Sequence, residues 1–491
     1  MTAFTDLRAY LDRVAELGEL RTVPGADTRS DIGPITEITA WSPEHPMLLF
    51  EDIPGCPRGW RIAVHAFDSY RRLQLLYGFL DGLEGRALVR WWKARLEAYA
   101  PVPPREVRTG PVMEHVQTGE DVDLCRFPAP VWHARDAGPY LATGGASVLR
   151  DPETGDLNIG CYRGLVYDRN TLGHHFAGGH DGQVIRDRWF ERGEDCPIVV
   201  SLGHDPSLTL AAAENLGGRQ SELEYGGFLR GAPYEVIAGP VTGLPFPATA
   251  EAVLEGHILH PDREPKRVEG PWGEGLGYYA SGYPQPPIRV AAVYHRDDPI
   301  VLGEPTLRFK ERGRAGRFAQ LARRWHLLER SGLGGIQGVG QVGPFLVISI
   351  KQAYSGHALR IADYAMAGLA DRPPRYLVLV DEDIDPGDRD LVQWAIATRV
   401  DPATQIHVQR ERWANAINPA GLTPEKRAIE DYTVGTVIID ACKPYRWRHQ
   451  WSEMFQVSDI DEELRRQVAA RWEHLLGPLI TQPKPAPPRG S

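Results

Sequence analysis

Short apolar runs broken by Gly and Pro fill the middle of the chain, and this pattern restricts its fold more than any other feature. The 491 residues include 51 Gly and 41 Pro. Between about residues 110 and 305, runs such as SVLRD, PIVVSLG and IRVAAVYH are separated by these two residue types. Glycine reaches turn conformations that other residues avoid, and proline cannot stand inside a helix. The pattern predicts a β-barrel or sandwich-like domain rather than a helical bundle.

The N-terminal region mixes helix and strand patterns. Apolar residues recur at helical spacing from Phe4 to Val14 and predict a first helix. Two strands are expected next, at 46–53 and 59–67, and then one long helix over 71–98. This region is therefore expected to be of mixed α/β type.

The C-terminal third alternates strand and helix patterns, as βαβ units do. The expected strands and helices occupy 345–350, 358–369, 376–380 and 390–399. A last helix is expected after the N-cap candidate Ser458. Its apolar stripe consists of Ile460, Leu464, Val468, Trp472 and Leu475. The stripe predicts a helix that packs either on the core of the chain or at a subunit interface.

Composition excludes several classes of protein. A formal net charge of −10 and a pI near 5.9 argue against nucleic acid or an anionic membrane as the main partner. The cysteines are odd in number, scattered and without a CxxC pair, so neither a disulfide framework nor a zinc ribbon is supported. The sequence holds no apolar stretch of about 18 residues, the length that a membrane helix needs. We therefore expect a cytoplasmic protein without membrane association.

Two motifs resemble ligand-binding loops but lack the required features. The glycine-rich SGLGGIQGVG follows a predicted helix and precedes a strand, the reverse of a dinucleotide-binding turn. The run DEDIDP begins like a calcium loop, but Pro386 stands in place of the turn glycine and Val392 in place of the last carboxylate. We expect this run to end a strand, with its acids exposed at a βα turn. No GxSxG, HExxH or P-loop motif occurs.

Three separate clusters remain as candidates for chemistry. Asn158 and Arg163 lie on a predicted strand, and their odd separation would turn them to opposite faces unless the strand ends or bulges near Gly160. Glu269 and Glu274 flank a Gly-Pro-Trp-Gly turn. The third cluster is a glycine-rich loop with three histidines, His174, His175 and His180. Each cluster alone also has an ordinary structural interpretation, as hydrogen-bonding or solvent-exposed side chains.

Together these clusters resemble the UbiD family of prenylated-FMN-dependent decarboxylases. The most specific match is Glu269-Gly-Pro-Trp-Gly-Glu274, which is similar to the family's E-G-P-[FW]-G-[ED] segment. Asn158 and Arg163 match the family's Asn-x4-Arg element. Further along, VDEDIDP, WAIATRVDP and IIDACKP are similar to the family's D-D-I-D-P, W-A-x-x-T-R-x-x-P and D-A-T-K-P stretches. The resemblance extends over about residues 5 to 450 and includes these motifs in the family's order.

The resemblance implies a divalent metal, Mn²⁺ in the family, that bridges to the phosphate of prenylated FMN. Its implied ligands are Asn158, His180 and Glu222. An amide oxygen, an imidazole and a carboxylate form an acceptable ligand set for such an ion. A K⁺ site built largely from backbone carbonyls accompanies the metal in the family, and Ile159 and Glu222 match contributing positions.

Two alternatives stay open within this ligand set. Glu224 could replace Glu222, although the spacing to the following glycines favours Glu222. His174 or His175 could replace His180, although the distance along the chain from the asparagine favours His180. The full set of implied cofactor-binding residues is Asn158, Ile159, Gly160, Cys161, Tyr162, Arg163, Gly179, His180, Glu222 and Lys351.

The same resemblance assigns catalytic roles to Arg163, Glu269 and Glu274. Arg163 would grip the substrate carboxylate and pair with Glu269, since a guanidinium can hold a carboxylate through two parallel hydrogen bonds. A low-dielectric position beside a flavin would raise the pKa of Glu274 and let it hold a proton at neutral pH. With the modified flavin as electron sink, Glu274 would protonate the carbon that has lost CO2. The implied reaction is reversible, non-oxidative decarboxylation of an aromatic, heteroaromatic or α,β-unsaturated acid.

Residues of the C-terminal third complete the implied site. Lys351 is similar to a family lysine that contacts the cofactor, although a lysine at a strand end is often simply exposed. The residues expected to face the substrate are Tyr354, Ser355 and Ile396. Gly179 and Ile159 depart from the better-known cinnamate-type members, so we expect a different pocket volume and do not carry over their substrate.

The expected fold class is mixed α+β and α/β, with a UbiD-like arrangement of domains. The implied cofactor domain is a flavin-reductase-like split β-barrel, and the implied C-terminal domain is an α/β oligomerisation domain. The expected divisions are an N-terminal α/β region at 1–108 that ends in a proline-rich linker, the barrel at 109–305, a connecting helix at 306–330, the α/β domain at 331–476 and a disordered tail at 477–491.

The implied partners are a carboxylic acid substrate, a separate flavin prenyltransferase that supplies the cofactor, and further copies of the chain in a homodimer or larger homo-oligomer. Two other classes of function stay open. One is a flavin-independent, metal-dependent hydrolase that uses the cluster of His174, His175 and His180. The other is a non-catalytic flavin-binding or assembly subunit, which would not need a proton donor such as Glu274.

Overall fold

The protein is described by a computed structural model that covers most of the chain. The described residues are 4–176, 179–214, 216, 220–308, 317–368, 374–413, 423–429, 431, 433–458 and 462–477. The predicted disordered tail lies outside these residues from position 478 onward, and so does Ile460 of the last apolar stripe.

The chain divides into two compact units. The first unit consists of Met1–Asp81 and Tyr99–Arg317, and the second unit of Gly82–Ala98 and Phe318–Ser491. One boundary falls just before the proline-rich stretch that predicted a linker. The finer division into five parts stays a prediction.

Strands dominate the first unit, and helices and strands alternate in the second. The strands are β1 (Leu20–Pro24), β2 (Met47–Glu51), β3 (Arg61–Val64), β4 (Arg105–Glu106), β5 (His115–Thr118), β6 (Tyr140–Leu141), β7 (Ala146–Arg150), β8 (Leu157–Gly160), β9 (Gly164–Asp168), β10 (Thr171–His174), β11 (Cys196–Leu202), β12 (Glu235–Ala238), β13 (Pro245–Pro247), β14 (Ala252–Ile258), β15 (Arg267–Glu269), β16 (Trp272–Gly273), β17 (Tyr279–Ala280), β18 (Tyr283–Gln285), β19 (Pro287–His295), β20 (Ile300–Gly303), β21 (Ile336–Val342), β22 (Phe345–Ile350), β23 (Tyr376–Asp381), β24 (Ile406–Trp413) and β25 (Thr433–Ala441). The α-helices are α1 (Leu7–Glu16), α2 (Ile32–Ala40), α3 (Tyr70–Tyr77), α4 (Gly85–Glu97), α5 (Asp181–Glu191), α6 (Pro206–Ala213), α7 (Glu222–Arg230), α8 (Arg317–Arg330), α9 (His357–Gly368), α10 (Arg389–Arg399), α11 (Pro424–Ala428), α12 (Trp451–Met454) and α13 (Glu462–Leu476).

A large, mostly antiparallel sheet forms the centre of the first unit. Its strand order is β6-β9-β10-β19-β14-β11-β7-β8, β5 also pairs with β19, and the sheet curls into a half-barrel. Val253 and Leu254 of β14 belong to two different apolar clusters, and so do Val199 and Val200 of β11. Successive side chains of a strand point to opposite faces, so both faces of this sheet are buried. The predicted barrel-like domain is confirmed.

The prediction of a single helix over 71–98 is wrong, because the chain breaks between α3 and α4. Gly78 ends α3 in the left-handed backbone conformation, with a φ of 70°, and its N–H donates to the carbonyl of Gln74. Glycine reaches this conformation without the steric penalty that a side chain imposes. The break coincides with the change of unit, since α3 belongs to the first unit and α4 to the second.

The second unit confirms the predicted βαβ pattern. Its sheet has the order β21-β22-β23-β25-β24, in which β22, β23 and β25 run parallel. Helix α9 follows β22, and α10 follows β23. Val347 and Val378 of the sheet pack in one apolar cluster with Val392 of α10. Polar residues that follow the parallel strands therefore gather at one edge of this sheet.

Two expectations about exposure in the second unit are wrong. Asp381 ends β23 as predicted, but the residue is only 5% exposed, because Arg399 donates a hydrogen bond to its carboxylate. The last helix does not pack on the core of this chain, since the described members of its stripe are 41–61% exposed. These members are Leu464, Val468, Trp472 and Leu475. A role of this helix at a subunit interface stays a prediction.

In the part of the chain that the structure describes, every helix is too short or too polar to pass through a membrane.

Candidate active site

The strand that carries Asn158 ends before the chain reaches Arg163. Strand β8 stops at Gly160, and residues 161–163 lead to β9. A side chain on Gly160 would bring a Cβ within 2.6 Å of the ring of Tyr162, so glycine is what allows this ring to fold back over the strand end. The predicted strand end between Asn158 and Arg163 is therefore confirmed. It removes the constraint that would turn these two side chains to opposite faces of one strand.

Asn158 and Glu222 converge beside the end of β8. Glu222 is the first residue of α7, 8% exposed, and its Oε2 accepts a hydrogen bond of 3.2 Å from the N–H of Ile159. The hydroxyl of Tyr162 lies 3.5 Å from Oδ1 of Asn158, and Gly182 near the start of α5 packs so closely on this hydroxyl that an added Cβ would lie 2.6 Å away. His180 comes directly before α5. The helix that begins after His180 thus packs against the ring that folds over the end of β8.

Burial raises the pKa of Glu222 to about 7, although hydrogen bonds from its own N–H and from the N–H of Ile159 oppose the shift. The negative charge of Asp181 adds to the rise. A divalent cation would reverse this shift, because an adjacent positive charge favours the ionised carboxylate. The alternative Glu224 lies elsewhere, where its charge raises the pKa of Tyr99 after the larger effect of burial. The donor set around Ile159 therefore fits a metal through Glu222 rather than Glu224.

Arg163 joins the two glutamates that flank the Gly-Pro-Trp-Gly turn. Its Nε and Nη2 donate to the two carboxylate oxygens of Glu269, at 2.8 and 2.9 Å. Its Nη1 donates to Oε1 of Glu274 at 2.8 Å. The Glu269 side chain is completely buried, whereas the side chains of Arg163 and Glu274 keep 12% and 16% of their exposure. One guanidinium thus holds two carboxylates, and the more accessible carboxylate is that of Glu274.

The turn between the glutamates is fixed by contacts that the sequence did not reveal. Tyr140 donates a hydrogen bond of 2.9 Å to Oε1 of Glu269, and its ring packs against Trp272 at 4.4 Å. The guanidinium of Arg163 lies 5.4 Å from the centre of the Trp272 ring. The indole N–H donates to Thr306 at 3.1 Å. Trp272 is part of the Gly-Pro-Trp-Gly turn, but the sequence suggested no role for it. No local sequence pattern singles out Tyr140 or Thr306.

The histidine cluster divides between two environments. His174 is 1% exposed, and its Nε2 lies 3.0 Å from the hydroxyl of Ser147. His175 lies beside the ion-pair network, with its Nδ1 3.9 Å from Oε2 of Glu269 and its ring stacked on Tyr283 at 5.4 Å. Burial lowers the pKa of both histidines to about 4, so both are neutral at neutral pH.

This division bears on the hydrolase interpretation. Among the described residues, no three His, Cys, Asp or Glu side chains are arranged to hold a metal ion. His174 is occupied by Ser147, and His175 faces Glu269. The geometry of the described residues therefore gives the three-histidine metal site no support.

The remaining predicted residues of the first unit lie on exposed backbone. Cys161 follows the end of β8, and its thiol lies 3.7 Å from the carbonyl of Thr209. Gly179 precedes His180, and its N–H donates to Gln183 at 2.7 Å. Residues 177 and 178 lie outside the described part of the chain.

The predicted residues of the second unit fall into two groups. Lys351, Tyr354 and Ser355 are exposed in the loop between β22 and α9. Ile396 of α10 is half-buried and packs against the apolar cluster of this unit. Contact of these four residues with cofactor or substrate stays a prediction.

Two family models match the chain. The 3-octaprenyl-4-hydroxybenzoate carboxy-lyase Rift-related domain matches residues 105–307, and the C-terminal domain of the same family matches residues 337–441. A phenolic acid decarboxylase of Streptomyces sp. (strain D7) is 30% identical and aligns with 96% of this chain and 100% of its own. A pyrrole-2-carboxylic acid decarboxylase of Pseudomonas aeruginosa is 32% identical and aligns with 81% of this chain and 83% of its own.

Solved structures share the fold over almost the whole chain. The vanillic acid decarboxylase of Sedimentibacter hydroxybenzoicus, in its closed form, has a TM-score of 0.82 and 25% identity over 98% of this chain and 100% of its own. An evolved dimeric form of the UbiD-class enzyme HmfF from Pelotomaculum thermopropionicum, in complex with prFMN, has a TM-score of 0.76 and 25% identity over 95% and 100% of the two chains. These structures confirm the expected combination of a cofactor domain and a C-terminal α/β domain.

Proposed function

The chain belongs to the UbiD family of carboxy-lyases, and from this premise we propose that it is a prenylated-FMN-dependent decarboxylase of an aromatic, heteroaromatic or α,β-unsaturated carboxylic acid. The observation that carries the proposal is the single guanidinium of Arg163 between the carboxylates of Glu269 and Glu274. A binding module has no need for a second, partly accessible carboxylate on a buried arginine. A decarboxylase needs a cation for the substrate carboxylate and an acid for the product carbon.

Arg163 presents only one edge to a substrate. Glu269 takes the edge formed by Nε and Nη2, so a substrate carboxylate must approach at Nη1, where Glu274 is bound. A substrate anion that competes for Nη1 displaces the carboxylate of Glu274 from this end of the guanidinium. Binding of substrate and the position of the proton donor are therefore coupled through Arg163.

The residues at the end of β8 fit the cofactor and its metal. Asn158, His180 and Glu222 would hold a divalent cation such as Mn²⁺, which suits oxygen and imidazole ligands. The backbone near Ile159 and the carboxylate of Glu222 would contribute to a K⁺ site. Residues 158–163, with Gly179 and Lys351, would contact the flavin. When bound, prenylated FMN supplies the electron sink for the electron pair that the departing CO2 leaves behind.

Proton transfer is then the task of the chain itself. The C–C bond to the carboxylate breaks and CO2 leaves. The proton of Glu274 then goes to the carbon that carried the carboxylate. Glu274 regains its proton from solvent through its partly exposed side. Buried Glu269, held by Arg163 and Tyr140, keeps the guanidinium in position throughout.

The cofactor requirement can be tested with protein made with and without a flavin prenyltransferase. CO2 release is measured over a panel of indole, pyrrole, furan, phenolic and polyenoic acids. We expect release from at least one acid only in the protein that received prenylated FMN. Hydrolysis of esters or amides by cofactor-free, metal-loaded protein would instead support the hydrolase interpretation.

The metal ligands can be tested separately by the manganese content of two matched variants. Glu222→Gln replaces the carboxylate beside Ile159 and should remove most of the bound manganese. Glu224→Gln changes a carboxylate two residues away and should leave the content unchanged. The reverse result would assign the ligand to Glu224.

Assembly and location belong to the same proposal. The family resemblance and the dimeric form of the HmfF relative support a homodimer or larger homo-oligomer. A flavin prenyltransferase would act as the supplier of the cofactor, and a cytoplasmic location stays a prediction.

A further inference from the structure

Three motifs of the second unit are far apart in the sequence and meet in one ion-pair network. VDEDIDP contributes Asp381 and Asp383, WAIATRVDP contributes Arg399, and IIDACKP contributes Lys443. Arg399 donates to Asp381 at 3.2 Å and to the two oxygens of Asp383 at 3.1 and 2.8 Å. Nζ of Lys443 lies 2.8 Å from Asp383. Two carboxylates and two cations balance within this network.

Gln352 connects this network to the loop between β22 and α9. Its side-chain amide donates to Oδ1 of Asp381 at 2.9 Å and to the carbonyl of Lys443 at 2.8 Å. The N–H of Lys443 donates to Oδ2 of Asp381 at 2.6 Å, which fixes the carboxylate that Gln352 uses. Gln352 stands next to Lys351 in the sequence, so the network acts on the backbone that carries this lysine.

Other bonds hold the same short stretch of backbone. The N–H of Lys351 donates to the carbonyl of Gly335 at 2.7 Å. The carbonyl of Ala353 accepts from the hydroxyl of Tyr445 at 2.6 Å, and its N–H donates to Nδ1 of His357 at 3.1 Å. Each of residues 351–353 is thus held by an atom outside this stretch, whereas Lys351 itself and the following Tyr354 are exposed.

We propose that Gln352 and Asp381 are positioning residues that hold Lys351, Tyr354 and Ser355 ready for cofactor and substrate. The inference rests on the proposed function, because the roles of these three residues belong to it. A loop that is fixed before the ligand binds loses less conformational entropy when it binds. The carboxylate of Asp381 is held by hydrogen bonds from Arg399 and from the N–H of Lys443, and it therefore fixes the direction of the Gln352 amide that donates to it.

The restraint can be measured by hydrogen–deuterium exchange without any turnover. Gln352→Met keeps the length of the side chain and removes the amide. We expect amides in the peptide covering 351–357 to exchange at least about tenfold faster in this variant, since local opening becomes easier. Gln341→Met is the matched control, because the Gln341 amide donates to Gly343 in an exposed turn of the same sheet. The control should keep the wild-type exchange rate in 351–357.

Prenylated FMN binding and turnover provide the second arm of the test. The Gln352→Met holoenzyme, measured well below its thermal midpoint where it is fully folded, should bind prenylated FMN more weakly and show a kcat/KM about tenfold lower, because preorganisation is lost. Wild-type exchange in 351–357, or wild-type cofactor affinity, would overturn the inference. A wild-type protein that binds prenylated FMN but decarboxylates nothing would overturn the proposed function alone, because exchange and cofactor affinity are measured without turnover.

Discussion

The two ion-pair networks of this protein differ in how they hold their carboxylates. In the first unit, the guanidinium of Arg163 donates two hydrogen bonds to Glu269 and one to Glu274. In the second unit, Asp383 is held by both Arg399 and Lys443, and Asp381 is held by Arg399, so two cations balance two carboxylates. A balanced network of this kind is suited to hold structure. The single bond from Arg163 to Glu274 can be exchanged for a bond to a substrate carboxylate, which suits the proposed proton donor.

The surroundings of Glu269 leave Arg163 as its charged partner in the described part of the chain. His175 lies beside Glu269, but burial and the neighbouring Arg163 lower its pKa to about 4, so it carries no charge at neutral pH. Tyr140 gives Glu269 a neutral hydrogen bond. Of the two glutamates on Arg163, Glu274 is the more accessible.

Removal of Arg163 from the first network should have the largest effect. Arg163→Met leaves the fully buried carboxylate of Glu269 with only Tyr140 as a strong donor among the described contacts. We expect the free energy of unfolding, measured by urea denaturation, to fall by about 3–5 kcal/mol and decarboxylation to be lost. Arg163→Lys keeps the charge without the two-point grip and should lose less stability. A loss below about 1 kcal/mol in the Met variant would mean that Glu269 is not held as described.

The balanced network predicts a pH dependence of stability. Burial raises the pKa of Asp381 from 3.8 to about 6, so the folded state binds this proton more tightly than the unfolded state. The free energy of unfolding should therefore fall by about 3 kcal/mol as the pH rises from below 4 to above 6, if Asp381 acts alone. Asp383 acts in the opposite sense, because hydrogen bonds and charge from Arg399 outweigh burial and lower its pKa; its stabilisation is lost as the pH falls.

Asp381→Asn separates these two contributions. Urea titrations between pH 4 and 7 should show that the variant gains stability relative to the wild type as the pH rises. Gln341→Met, which changes an uncharged side chain in an exposed turn of the same unit, is the control and should shift stability by a similar amount at every pH in this range. An unchanged pH slope in Asp381→Asn would contradict the described burial of this carboxylate.

A smaller effect is expected from the loss of the Tyr140 hydroxyl, which tests how much its hydrogen bond contributes to holding Glu269. Tyr140→Phe removes one hydrogen bond to a buried carboxylate and should lower the free energy of unfolding by about 2 kcal/mol. The two bonds from Arg163 remain, so activity should fall less than in Arg163→Lys. A variant as inactive as Arg163→Met would show that the hydroxyl has a further role in the reaction.

The sequence identified the charged residues that meet at Arg163 better than the residues that hold them in place. The turn with Glu269 and Glu274 and the pair of Asn158 and Arg163 stand in short local motifs, so a resemblance to a family could identify them. The strand end at Gly160 followed from the period of a strand alone. Tyr140 could not be found in this way, because its contact with Glu269 spans 129 residues and no local spacing encodes it.

The incorrect predictions about the acidic run and the helix over 71–98 also have physical causes. An acidic run such as DEDIDP is usually solvated, and the burial of Asp381 depends on hydrogen bonds from residues distant in the sequence, Arg399, Gln352 and Lys443. The helical pattern over 71–98 continued across Gly78, whose left-handed conformation ends α3. Local periodicity therefore predicts whether a segment is helix or strand. Contacts between residues distant in the sequence decide which acidic side chains are buried.

The most direct test of Glu274 as the proton donor is hydrogen–deuterium exchange into the decarboxylated product, catalysed by the prenylated-FMN-loaded protein in D2O. If Glu274 is the proton donor, Glu274→Gln should fold, bind the cofactor and exchange this position about 100-fold to 10,000-fold more slowly than the wild type. Glu153→Gln, at an exposed carboxylate of the same unit, should exchange at the wild-type rate. Exchange at the wild-type rate in Glu274→Gln would contradict this role, because Glu274 would then not be the group that moves the proton.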